Sequence, residues 1–258
     1  MLRLASITTR GSSLRQGINR AAALSPPMQS RTLTNLNVGV LKETDAGEYR
    51  VAMTPANVEQ LVKKGANISI EKGAGAQASF TDEAYAAAGA SIVSKADIFK
   101  QDLVMKVRKP SSEELAKIEN RAFLGMLSPL VNPELKAQLA SQGATAFSMD
   151  MLLRTLSRGQ AFDVLSSQAN MAGYRCVIEA GNVLQRPFAG QSTAAGKIPP
   201  TRVMVVGAGV AGLAAIQAAK SLGAIVTSFD VRAAAAEQVE AMGARFLKVE
   251  IDEDGSGA

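Results

Sequence analysis

Histidine is missing from all 258 residues, tryptophan is missing too, and cysteine occurs once. Each absence removes chemistry. Without imidazole there is no Ser-His-Asp or Cys-His nucleophile, no histidine-held metal and no histidine to move the proton that accompanies hydride transfer in many dehydrogenases. A single cysteine permits no intramolecular disulfide and no multi-cysteine zinc site. Within Tyr174-Arg175-Cys176-Val177-Ile178 it reads as a buried helix residue rather than a nucleophile. No apolar run reaches the roughly 18 residues that a membrane span requires.

Acidic residues are missing from one end. Before Lys42 the only charges are Arg3, Arg10, Arg15, Arg20 and Arg31, set among Ser, Thr and Ala with apolar Leu2, Leu4, Ile7, Leu14 and Ile18. An Arg-rich, acid-free, amphipathic N-terminus predicts a mitochondrial transit peptide over 1–36 and a matrix location; a basic tail that stays attached is the alternative. Without those five arginines the 28 basic residues fall to 23, equal to the 23 acidic ones, so the net charge of +5 is no argument for a nucleic-acid partner.

What remains is a globular composition, 47% hydrophobic and 20% charged, able to bury a core. From Asn37 short apolar runs alternate with helical patterns, as parallel βαβ units require. Strands are expected at 38–41, 67–71, 103–107, 122–127 and 144–149. Helices are expected at 55–64, with Thr54 as N-cap and Pro55 in the first turn, and at 81–88, 111–118 and 132–141. These elements predict an N-terminal α/β domain over 37–165. A linker follows over 166–201: a helix from Ser166 to Arg186 with Ala169, Ala172, Gly173, Cys176, Val177 and Ala180 on one small-residue face, then a Gly/Pro/Ser/Thr-rich loop from Pro187 to Thr201.

The segment 202–258 carries the most informative motif. Val203 to Val206 predict a strand that stops at Gly207-Ala208-Gly209-Val210-Ala211-Gly212 and enters an Ala-rich helix to Leu222; Ile225 to Phe229 predict the next strand, ending at Asp230. Such a turn brings backbone amides against a pyrophosphate, and an acid about 20 residues on can bond both hydroxyls of an adenosine ribose. A carboxylate there repels a 2′-phosphate, so NAD(H) is expected over NADP(H). Arg232, beside Val231, is the counter-signal, since a nearby arginine can accept that phosphate. Only one further strand, 245–249, follows before a polar end at 251–258. The fold class is therefore α/β: two Rossmann-like domains with parallel sheets, the second C-terminally incomplete.

Several motifs in order extend the reading. Gly39-Val40-Leu41-Lys42-Glu43, Glu48-Tyr49-Arg50-Val51-Ala52-Met53-Thr54-Pro55, Lys106-Val107-Arg108-Lys109-Pro110 and the glycine motif through Asp230 together resemble the alanine dehydrogenase and proton-translocating nicotinamide nucleotide transhydrogenase family, from Asn37 to the end. Within it, the segment Arg154 to Asn170 looks like the nicotinamide loop of a transhydrogenase NAD(H)-binding domain. The resemblance implies that Arg154, Gln160, Asp163 and Ser166 serve the nicotinamide end, and that Gly207, Ala208, Gly209, Val210, Ala211, Gly212, Asp230, Val231 and Arg232 hold the rest. The residue-level alternative is an inter-domain loop with an ordinary Arg154–Asp163 salt bridge.

Alanine dehydrogenases use a histidine where this chain has Met126-Leu127-Ser128-Pro129-Leu130, while Arg50 and Lys106 match their substrate-binding positions; inherited scaffold contacts in structural ion pairs are the alternative for both. Leu41 replaces a usual proline, Gly47 a common asparagine, and Gly159 and Phe162 vary the nicotinamide loop. Direct hydride exchange between two nicotinamides needs no proton donor, only reacting carbons aligned at about 3–3.5 Å with water excluded. The resemblance implies NAD(H) on this chain, NADP(H) on a partner domain, a proton-conducting membrane domain as a further partner, a second copy of the chain, and no metal. A histidine-free alanine dehydrogenase and a non-catalytic truncated NAD-binding or assembly module are the alternatives.

Overall fold

The computed structural model describes residues 35–153 and 156–249, which fall into two compact units divided between Ser148 and Met149. The leader over 1–36 therefore lies outside the described residues apart from its last two, as do Arg154 and the segment 251–258. The division falls at 148/149, where the sequence puts the end of the first domain at 165; the Met149–Met151 turn packs against the long helix that follows.

In the first unit six parallel strands are ordered β3-β2-β1-β4-β5-β6: β1 Asn37–Val40, β2 Asn67–Glu71, β3 Ser91–Val93, β4 Leu103–Met105, β5 Ala122–Gly125 and β6 Thr145–Ser148. This is the doubly wound 3-2-1-4-5-6 order. Strand parity sorts the core into two clusters. Val38 and Val40, with Ile68 and Ile70 alongside, pack on Val58 and Tyr85; Leu41, Val104 and Phe123 pack on Ile98, Leu115 and Ile118. Between Val38 and Val40, Gly39 is required by closeness: a Cβ there would lie 2.8 Å from Ile98 Cγ2 and 3.0 Å from the Ile98 carbonyl.

Five helices connect these strands: α1 Pro55–Lys63, α2 Asp82–Ala87, α3 Lys95–Ile98, α4 Ser112–Leu115 and α5 Pro133–Ser141. Thr54 caps α1 by accepting from Asn57 N, and Ser111 and Glu114 form a reciprocal capping box on α4. β3 and α3, three and four residues long, carry no readable period and were not expected from the sequence.

The second unit opens with two short turns, Met149–Met151 and Gln160–Phe162, and then α6, Val164–Leu184. The stripe of α6 that packs inward is Ala169, Gly173, Val177 and Gly181, a strict four-residue spacing; Gly173 and Val177 are buried. Cys176 is exposed, correcting its expected burial, because it lies one position off that stripe. The expected loop 187–201 contains an antiparallel hairpin, β7 Gln191–Thr193 and β8 Gly196–Ile198, whose strands are wholly exposed and so lack the alternating pattern that marks a strand.

The remaining strands, β9 Arg202–Val206, β10 Ile225–Phe229 and β11 Arg245–Phe246, form a parallel sheet in the order β11-β10-β9. β11 is two residues long, not the expected five. Helix α7, Val210–Ser221, crosses from β9 to β10, and α8, Ala235–Ala241, from β10 to β11. Ala214, Ala215, Ile216, Ala218 and Ala219 of α7 are all buried, so the Ala-rich pattern serves a helix covered on more than one side. Among the described residues β9 pairs with β10 alone, and Met204 and Val206 are 56% and 75% exposed. No helix of the described residues is long and apolar enough to cross a membrane.

Candidate functional site

The glycine turn between β9 and α7 is built from three glycines with three different requirements. Gly207 sits at φ +94°, a conformation that a Cβ strains, and donates to the Phe229 carbonyl at 2.7 Å. Gly212 allows close approach: a Cβ there would lie 1.8 Å from the Gly207 carbonyl oxygen. Gly209 meets neither constraint. Its φ is −78°, and a Cβ there would face open space. Gly209 therefore leaves open the space in front of the helix N-terminus.

Gly209 is also the N-cap of α7, and no side chain caps the helix there. The first-turn amides of Val210, Ala211 and Gly212, with the positive end of a twelve-residue helix behind them, form an anion-binding end. Ala208 is buried and donates its N–H to Asp230 Oδ2 at 2.7 Å. Asp230, 9% exposed at the end of β10, is bonded by Arg232 through its backbone N–H at 2.8 Å, Nε at 3.1 Å and Nη2 at 3.2 Å. The Arg232 guanidinium holds the Asp230 carboxyl well below the usual carboxylate range, and the two amides reinforce it against burial. Val231 between them is exposed.

The residues expected to form a nicotinamide loop stand at the start of α6, apart from Arg154. Asp163 is its N-cap, accepting from Ser166 N at 2.9 Å and from Ser166 Oγ at 2.6 Å. Gln160 is exposed in the preceding turn, and Phe162 is 59% exposed. Arg154, expected with them, lies outside the described residues. Gly159 has a local cause, since a Cβ there would lie 2.6 Å from the Leu153 carbonyl oxygen.

Helix α6 ties the two groups together. A Cβ on Gly173 would lie 2.0 Å from the Ala211 carbonyl oxygen, so the α6 and α7 backbones touch at the glycine turn. Seven residues separate Ser166 from Gly173, two turns within about 20° and about 10 Å of rise, which places Ser166 on the same face of α6, one nucleotide-sized step from the turn. Gly173 was legible only as one of several small residues; its role in positioning the turn required the packing.

The first unit has its own charged cluster where β1 and β4 end. Lys106, with no exposed side-chain surface, donates to Glu114 Oε2 at 2.9 Å and Thr44 Oγ1 at 3.3 Å; Lys95 bridges Glu114 Oε1 at 2.7 Å. Burial pushes the Glu114 carboxyl up, but both lysines and the Ser111 amide outweigh it and hold it at about 2. Glu48 clamps Arg50 through Nε at 2.7 Å and Nη2 at 2.6 Å and also pairs with Arg108 at 2.7 Å. Leu41 donates its N–H to the Met105 carbonyl at 3.0 Å, a bond that proline could not make, and Gly47 at φ +79° occupies a region that asparagine tolerates. A surface cavity of about 660 Å³ between Lys109 and Gln138 is lined by none of the expected site residues.

Residues 39–172 match the family described as "Alanine dehydrogenase/PNT, N-terminal domain", and residues 176–256 match its C-terminal domain. The chain is 51% identical over 226 residues to the NAD(P) transhydrogenase subunit alpha of Cereibacter sphaeroides, covering 86% of this chain and 43% of that protein. It is 32% identical over 208 residues to the alanine dehydrogenase of Bacillus subtilis, covering 79% of this chain and 54% of that one. The chain thus spans about half the length of these curated relatives. The solved transhydrogenase from Sinorhizobium meliloti superimposes with a TM-score of 0.80 at 41% identity, over 83% of this chain and 62% of that one. The chain belongs to the alanine dehydrogenase/PNT family, with its stronger likeness to the transhydrogenase alpha subunits.

Proposed function

We propose that this chain is the NAD(H)-binding part of a proton-translocating transhydrogenase, in which hydride passes from NADH to NADP⁺ and proton movement across the inner mitochondrial membrane is coupled to it. The observation that carries the nucleotide reading is Gly209: open space over a glycine at an uncapped helix N-terminus, with a carboxylate at the adjacent strand end. The residues fit the cofactor. The amides of Val210, Ala211 and Gly212 would hold the pyrophosphate and Asp230 the adenosine ribose. Ser166 and Gln160 would meet the nicotinamide riboside end, with Asp163 fixing the Ser166 hydroxyl. When bound, NADH supplies a hydride from its nicotinamide ring. The chain's own task is then to hold and shield, and a site without histidine suffices because neither ring exchanges a proton.

An alanine dehydrogenase is disfavoured by the two residues that match its substrate positions. Lys106 is buried against Glu114 and Arg50 is clamped by Glu48, which leaves both as scaffold in the first unit. NADP(H) and the proton path belong, in this reading, to partner domains. A homodimer is part of it too, supported by the exposed row Met171, Tyr174 and Ile178 on α6. The Arg-rich leader would deliver the chain to the mitochondrial matrix.

The test is reconstitution with the NADP(H)-binding domain of a relative. Hydride transfer from NADH to an NADP⁺ analogue should occur only in the mixture, with no L-alanine oxidation by the chain alone. Alanine oxidation by the chain alone would overturn the reading. Sequencing the mature N-terminus tests the leader, and an intact Met1 in a mitochondrial preparation would refute import.

A further inference from the structure

The Asp230 carboxylate is fully subscribed. Oδ1 accepts from the Arg232 backbone N–H and from its Nε; Oδ2 accepts from the Ala208 N–H and from Arg232 Nη2. An ionised carboxylate offers about four lone-pair sites, and these four donors occupy them. Two of the donors are backbone amides that fix the glycine turn and the chain after β10. The other two belong to the guanidinium, one on each oxygen. A ribose diol also brings two O–H donors and needs one acceptor on each oxygen. Diol and guanidinium therefore compete for the same two places.

We propose that Arg232 is a specificity-determining residue that plugs Asp230: the ribose diol of NAD(H) must displace its guanidinium, while the ionised Asp230 withholds that guanidinium from a 2′-phosphate. The proposal rests on the nucleotide reading above and goes further by naming how the dinucleotides are told apart. The exchange is open to Arg232 because 55% of its side chain is exposed and can swing into solvent, while the buried Asp230 keeps its two backbone amide donors throughout. Its guanidinium stands two residues from the acid, where an arginine in a dinucleotide fold can meet a 2′-phosphate. Selectivity then has two coupled parts: repulsion by Asp230, and the occupation of Arg232.

The full chain and three variants, Arg232→Ala, Asp230→Asn and the double variant, are titrated with NADH and NADPH by quenching or enhancement of nicotinamide fluorescence. Asparagine keeps an oxygen to accept the Ala208 N–H, so the turn retains its anchor, and a thermal melt checks each variant. Arg232→Ala is expected to bind NADH several-fold more tightly, with NADPH still weak. Asp230→Asn is expected to bind NADPH at least tenfold more tightly than the unaltered chain, and the double variant to lose that gain. Weaker NADH binding by Arg232→Ala, or a gain for NADPH that survives in the double variant, overturns the plug. If the unaltered chain and every folded variant bind neither nucleotide, the nucleotide reading itself fails, an outcome distinct from either of those.

Discussion

Gly209→Ala separates folding from binding at the same residue. The backbone at Gly209, φ −78° and ψ −169°, is open to any residue, and an added methyl meets no atom within 4 Å. Two small terms oppose each other: loss of glycine at a helix N-cap costs about 0.5–1 kcal/mol, and reduced freedom of the unfolded chain returns about 0.4–1 kcal/mol. The net should lie within about 0.5 kcal/mol of zero, a shift of a few degrees at most in Tm. Binding should respond differently, because the methyl occupies the space through which an anion approaches the amides of Val210 to Gly212. Loss of even one hydrogen bond to a charged partner costs about 1.5–3 kcal/mol, so NADH affinity should fall about 10- to 100-fold. Gly212→Ala is the contrast. Its methyl would meet the Gly207 carbonyl oxygen at 1.8 Å, so overpacking of about 1–3 kcal/mol or more should lower the melt itself. Thermal denaturation and NADH fluorescence titration on the same samples decide the matter. Unchanged NADH affinity in a folded Gly209→Ala chain, or a melt as damaged as that of Gly212→Ala, would refute the reasoning.

Other expectations follow from the same geometry. Asp163→Ala should cost about 1 kcal/mol through loss of the α6 cap, whereas Asp163→Asn keeps a cap acceptor; if Asn leaves both stability and reconstituted hydride transfer unchanged, Asp163 is a cap and nothing more. Gly173→Ala should destabilise the second unit by about 1–3 kcal/mol, since its methyl would meet the Ala211 carbonyl at 2.0 Å, and should weaken NADH binding with it; an unaffected melt contradicts the α6–α7 contact. Glu114→Gln should cost about 3–5 kcal/mol by leaving Lys106 buried without its anion. The depressed Glu114 carboxyl, held at about 2 against an ordinary 4.5, contributes about 3 kcal/mol, present above the ordinary value and lost as pH falls through about 2. Urea midpoints from pH 6 to pH 2 should therefore fall more steeply for the unaltered chain than for Glu114→Gln, and equal slopes would count against it.

The parts legible in the sequence are those where a local rule and the tertiary packing agree. β2, β9 and β10 fall where alternation and β-branched residues put them, and α1 begins at Thr54-Pro55 because cap and proline act within four residues. The glycine turn was legible for the same reason, Gly207 and Gly212 answering steric demands set by the strand and helix beside them, while the freedom at Gly209 shows only in the packing. What stayed hidden depends on distant partners or on pieces too short to carry a period. β3, α3 and the exposed β7–β8 hairpin are three or four residues each, and Cys176 and Gly173 share a small-residue face whose buried stripe is chosen only by where α7 lies. Lys106 and Arg50 were readable from sequence both as substrate-like and as scaffold positions, and the partners they pair with, the buried Glu114 and Glu48, were not. Arg232 was visible as a charge near the ribose site, but its occupation of both Asp230 oxygens belongs to side-chain geometry.

The central claim is that the turn at Gly207 to Gly212 with Asp230 holds NAD(H), and equilibrium titration of the chain with NADH and NADPH tests it most directly. Saturable binding of NADH, at least tenfold tighter than that of NADPH, is the predicted result. No saturable NADH binding, or equal affinity for the two nucleotides, would contradict it.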